Sequence, residues 1–156
     1  MQQYSPSDIE AFVSRFYPEK SLLLVPYGYT ASFTGLTAAL SSTQQLNITG
    51  NADFMLLGLR HRASVAATNQ TINTKTAPFA RVLITDSGTN EQFTNAAVDL
   101  ENYSSNGVGE RRLAYPRMIA GRSSLNISVT MYAPAAETVA LDIFFDGILV
   151  RAFNKP

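Results

Sequence analysis

Leu125-Asn126-Ile127-Ser128-Val129-Thr130-Met131 alternates apolar and polar side chains without a break. Successive side chains of a strand point to opposite faces, so this period of two puts Leu125, Ile127, Val129 and Met131 in a core and Asn126, Ser128 and Thr130 on polar surroundings. Downstream, Leu141-Asp142-Ile143-Phe144-Phe145 and Ile148-Leu149-Val150-Arg151 flank Asp146-Gly147. That dipeptide can supply the positive φ angles of a two-residue turn, so a terminal hairpin is expected, the alternative being a bulge at Gly147 within one long strand. Upstream, short apolar runs separated by Thr, Ser, Asn and Gly place further strands near Leu22–Val25, Ala31–Phe33, Gln45–Thr49, Phe54–Arg62, Gln70–Thr74, Phe79–Thr85 and Ala97–Leu100. The last two strands fall near Leu125–Tyr132 and Val139–Phe153. So many short strands with so little helix between them favour antiparallel pairing, because parallel pairs need long crossovers. The expected fold is mainly β, an antiparallel β-sandwich, with a jelly roll as one form it could take.

The front of the chain reads differently. Ser7 and Glu10 have the spacing of a capping box, and Ile9, Phe12, Val13, Phe16 and Tyr17 recur at helical intervals on one face until Pro18 stops the helix. So short a helix is marginal alone, and its apolar stripe must be covered by its own domain or by another subunit. Pro26-Tyr27-Gly28-Tyr29 reads as a hinge, dividing the chain into an N-terminal helix and arm over 1–30 and a sandwich over 31–156. A second irregular stretch, Glu101 to Arg122, carries Asn106-Gly107-Val108-Gly109 and then Arg111, Arg112, Tyr115, Pro116, Arg117 and Arg122. Arginine presents a rigid fork suited to carboxylates, phosphates and aromatic faces, which makes this loop the candidate contact surface.

Composition narrows the chemistry. The 156 residues, 46% of them hydrophobic, suffice for one domain with a core. Twelve Lys and Arg balance twelve Asp and Glu, so no overall field draws the chain to nucleic acid and direct nucleic-acid binding is not expected. The absence of cysteine excludes a disulfide framework, thiolate metal sites and cysteine nucleophiles, and one histidine removes most other metal chemistry, so no cofactor is expected. No apolar run approaches the roughly 20 residues of a membrane helix, and Met1-Gln2-Gln3-Tyr4 does not open a secretory signal. Asn47, Asn69, Asn102 and Asn126 begin glycosylation-type triplets, which without such a signal read as polar residues of strands and turns.

The sharpest enzyme-like segment is Val82-Leu83-Ile84-Thr85-Asp86-Ser87-Gly88-Thr89, which resembles the aspartic-protease motif. That chemistry needs two aspartates sharing a proton, and the chain offers one copy; the segment also suits a turn after a strand, with Asp86 bonding nearby amides before a permissive glycine. His61 lies between Arg60 and Arg62 with no recognisable catalytic partner, and no Gly-x-Ser-x-Gly elbow is present. Asp142 and Asp146 read as residues that keep a hydrophobic hairpin soluble.

Taken together, the aromatic arm, Pro26-Tyr27-Gly28-Tyr29-Thr30, the segment from Phe79 to Glu91, Tyr115-Pro116-Arg117 and the closing Leu149-Val150-Arg151 resemble an accessory structural protein of a tailed-bacteriophage particle. The resemblance is one of style over most of the chain. It implies a non-enzymatic homo-oligomer that decorates or cements a capsid or forms a collar at the head–tail neck. Such a subunit is made in the host cytoplasm, ends in the virion and binds major capsid, portal or neck proteins. The candidate contacts are then Ile9, Phe12, Val13, Phe16 and Tyr17 on the helix with Arg111, Arg112, Tyr115, Arg117 and Arg122 on the loop. An alternative class is a carbohydrate- or peptide-binding sandwich module using Tyr27, Tyr29, Tyr103 and Tyr115 as stacking platforms, without any tryptophan.

Overall fold

A computed structural model describes residues 4–38, 40–65, 80–106, 111–132 and 138–156, and within its strands the backbone alone of Val65, Ser105, Asn106 and Arg111. The expected strand Gln70–Thr74, Phe79, the triplet at Asn69 and Gly107-Val108-Gly109 lie outside the described residues.

Helix α1 runs Pro6–Phe16. Its cap is Ser5 and not Ser7: the Ser5 hydroxyl accepts from the Asp8 amide at 3.2 Å, and the Asp8 carboxylate accepts from the Ser5 amide at 3.1 Å. Pro6 explains the shift, because the first helical position needs no N–H and the proline ring already holds a helical φ. The helix ends before Tyr17, the residue that Pro18 keeps out of the helical region.

The strands are β1 Lys20–Leu36, β2 Ser41–Asn47, β3 Asp53–Val65, β4 Ala80–Asp86, β5 Glu91–Gln92 and β6 Val98–Asp99. A 3-10 turn, Leu100–Asn102, precedes β7 Ser105–Asn106, β8 Arg111–Ile119, β9 Ser124–Met131 and β10 Val139–Asn154. They form two sheets. The first runs β1-β10-β3, with β8 and β7 both on the far side of β3; the second runs β2-β9-β4, with β5 and β6 both on the far side of β4. Among the described residues all pairings are antiparallel except the two-residue β3–β7 bridge. The pairs are nested along the chain: β1 with β10, β2 with β9, β3 with β8, and β4 with β5 and β6. A long two-stranded ribbon rolled into two facing sheets gives this order, which is the jelly-roll arrangement.

Strand alternation sorts the side chains. Phe33, Phe54, Leu59, Leu141, Ile143 and Phe145 meet Val82, Ile84, Leu125, Ile127 and Val129 of the second sheet in the main core. The opposite face of the first sheet, with Met55, Leu57 and Val150, is covered by α1 through Val13, Ile9 and Phe12. The molecule therefore has three layers, helix on sheet on sheet.

Three expectations need correction. Pro26-Tyr27-Gly28-Tyr29 is not a hinge; it lies inside β1, in unbroken register with β10 from Lys20 opposite Asn154 to Phe33 opposite Leu141. An edge strand tolerates proline because the missing N–H can face away from the ladder, and Gly28 vacates space for the Phe144 ring, which would lie 2.2 Å from a Cβ there. Asp146-Gly147 is not a hairpin turn but part of β10, which is paired on both sides. There Asp146 faces Gly58 while Gly147 faces Leu56, so Leu57 is the extra residue of a bulge on β3. A Cβ on Gly147 would stand 2.1 Å from the Met55 carbonyl oxygen, a contact that requires glycine. Finally, the stretch from Glu101 to Arg122 contains β8 and is not one irregular loop. Leu56 and Gly58, two positions apart, face Arg117 and Arg112, five positions apart, so Leu113 to Pro116 leave the ladder as a protruding excursion.

Candidate assembly surface

The β8 excursion and α1 are neighbours in space although a hundred residues separate them in sequence. Between them lies a cleft of about 440 Å³ lined by Tyr4, Asp8, Ile9, Phe12, Arg15 and Tyr115 among others. The Tyr4 hydroxyl donates to the Leu113 carbonyl and ties the start of the helix to the excursion. Burial pushes the Tyr4 phenol up, opposed by the nearby Arg112 guanidinium, while the Ser5 hydroxyl and amide hold the Asp8 carboxyl below the usual range. At neutral pH the rim thus carries a neutral phenol, an anionic Asp8 and a cationic Arg15 around an aromatic floor.

Of the ten candidate contacts, the fold brings Ile9, Phe12 and Tyr115 to this cleft, with Phe16 beside it through a ring contact to Phe12 at 5.2 Å between centroids. Phe16 is 52% exposed and Tyr115 76%, far more than a side chain serving its own core. Val13 is fully buried against the first sheet and offers nothing to a neighbour, which corrects its assignment as a contact. Tyr17 is half-buried and donates to Asp53; burial, and then this bond, raise its phenol pKa strongly.

The arginines do not converge. Arg112 pairs with Asp146 at 3.5 Å. Arg117 pairs with Glu91 at 3.2 Å and lies over the Phe93 ring at 4.3 Å, so it joins β8 to the edge of the second sheet inside the molecule. That corrects its assignment as an outward contact. Arg122 sits in the turn before β9, its Nε donating to the Gly50 carbonyl at 3.3 Å, and the side chain of Arg111 lies outside the described residues.

Potential catalytic groups are engaged structurally. Asp86 is 1% exposed and accepts the Gly88 amide at 2.8 Å, the arrangement of an Asx turn. His61 is buried, with Nδ1 bonded to the Ser104 hydroxyl. Among the described residues no three His, Asp or Glu side chains cluster as a metal site would require. The four tyrosines considered as stacking platforms do not share one face: Tyr27 and Tyr29 meet edge to face at 5.0 Å between ring centroids, Tyr29 is half-buried and accepts the Thr49 amide, Tyr103 is buried in the core, and Tyr115 lies on another strand.

Sequence reading missed Tyr4, Asp8 and Arg15 at the cleft. Arg15 follows the apolar stripe at helical spacing from Asp8, but nothing local reveals that Leu113 to Pro116 would arrive opposite them. No protein-family model matches the chain, and no curated protein matches it.

Proposed function

We propose that the chain is a non-enzymatic structural subunit of a tailed-phage virion, a decoration, cement or collar protein that binds neighbouring capsid or neck subunits through the cleft between α1 and the β8 excursion. The observation that carries this reading is the pair of exposed aromatic side chains, Phe16 and Tyr115, set around an aromatic-floored cleft on a jelly roll. Jelly rolls serve viral capsids and lectins alike, and the fold alone does not choose between them. Tyr27 and Tyr29 meet edge to face, not as one flat surface, while Tyr103 is buried and Tyr115 lies on another strand, which argues against a shared sugar platform. The structural engagement of Asp86 and His61 argues against hydrolysis. Rigid aromatics at the centre of a patch with a charged rim, here Asp8 and Arg15, are the composition of protein–protein contacts.

Size-exclusion chromatography with light scattering on the purified chain tests the reading. The expected mass is a fixed multiple of the single chain, a ring or trimer. A strict monomer that binds a glycan array would contradict it and favour the sugar-binding module.

A further inference from the structure

Past the C-terminal end of α1, where β3 begins, lies a second groove, of about 430 Å³, lined by Tyr17, Asn51, Asp53, Arg122, Arg151 and Phe153 among others. Three independent observations meet there. First, β3 begins at Asp53, which faces Val150, so residues 151–154 of β10 have a strand neighbour only on the β1 side among the described residues. Their other edge is open to an added strand. Second, Arg151 occupies the inward-facing series of Leu141, Ile143, Phe145 and Leu149, and its Nε is buried without a hydrogen-bond partner. A buried guanidinium N–H lacking an acceptor is costly, and such a group in a groove marks a missing acceptor. Third, Arg122 holds a φ of 66°, a region that non-glycine residues enter uncommonly and that gathers at binding sites.

The charges are complementary to an acid. Neither Arg122 nor Arg151 is in an ion pair among the described residues. The acid already present, Asp53, is occupied: it accepts the Tyr17 hydroxyl and, at 2.7 Å, the Gly121 amide. We propose that this groove binds an extended acidic peptide segment, which adds to the open edge of β10 at residues 151–154 and places a carboxylate on Arg122 and Arg151. The fixed negative charge of Asp53 and the apolar Val150, Ala152 and Phe153 favour a singly charged carboxylate on a peptide over inorganic phosphate. The inference is independent of the virion reading, since it rests on a different surface and names only the chemistry of the partner.

The test uses the full chain and fluorescein-labelled peptides of alternating valine and threonine, with a single glutamate walked along them and glutamine counterparts, read by fluorescence anisotropy. The best glutamate peptide should bind saturably and about tenfold more tightly than its glutamine twin, with slowed amide exchange at residues 151–154. Arg122→Gly relieves the positive φ, so it should keep or raise the melting temperature while weakening binding about tenfold, and Arg151→Gln should weaken it similarly. Absence of saturable binding by every glutamate peptide, equal binding of the twins, or full binding by Arg122→Gly would overturn the proposal. Displacement of the peptide by inorganic phosphate at lower concentration than by unlabelled peptide would overturn the carboxylate assignment.

Discussion

His61 is the single histidine and is 3% exposed, so its burial disfavours the charged form. Nδ1 is bonded to the Ser104 hydroxyl, while Nε2 is buried without a hydrogen-bond partner. Burial pushes the imidazole pKa down, only partly opposed by the Glu101 carboxylate. Above about pH 6.5 the ring is neutral in folded and unfolded chains alike, and its contribution is intact. Below that, the unfolded chain takes up a proton that the folded chain resists, so stability is lost as pH falls towards the depressed folded value. The urea midpoint should therefore drop between pH 7.5 and pH 5, and His61→Gln, which keeps a polar partner for Ser104 without a titrating ring, should drop less. Equal slopes in the two proteins would remove His61 from the account. At this scale the sequence was partly legible: Asp86-Ser87-Gly88 spelled a turn, and a turn formed. Arg151 also left a sign, an arginine in the apolar phase of a strand, but its lack of a partner depends on where β3 begins.

At the scale of elements, α1 is a covering layer and not a detachable arm. Val13 is fully buried on Met55, Leu57 and Val150, so Val13→Ala should cost on the order of 2 kcal/mol in urea unfolding by leaving a cavity between helix and sheet. A change below about 0.5 kcal/mol would mean the helix is not part of the cooperative unit. The helix itself and the alternation of Leu125 to Met131 were legible because each is written in local periodicity; those four residues are at most 3% exposed. The misread elements share one cause. Pro26 with Gly28, Asp146-Gly147, and Pro116 all carry turn chemistry, yet each is absorbed by strand pairing: an edge that tolerates proline, a bulge at Leu57 of the facing strand, and an excursion of β8. Local residues determine what backbone is possible, and the paired strand decides which possibility is used.

At the scale of the whole molecule, the nested pairing of β1 with β10, β2 with β9 and β3 with β8 brings distant parts of the chain together. It carries the β8 excursion to the helix and sets Tyr115 and Ile9 on one cleft, a meeting no sequence period could announce. The central claim is that this cleft joins the subunit to its neighbours in a particle. Phe16 and Tyr115 are its exposed aromatics, so Phe16→Ser and Tyr115→Ser should leave the melting transition unchanged. The deciding measurement is the fraction of each protein that co-purifies with assembled particles relative to wild type. The account predicts a loss of about tenfold or more for both variants. Incorporation of both at the wild-type level would contradict it.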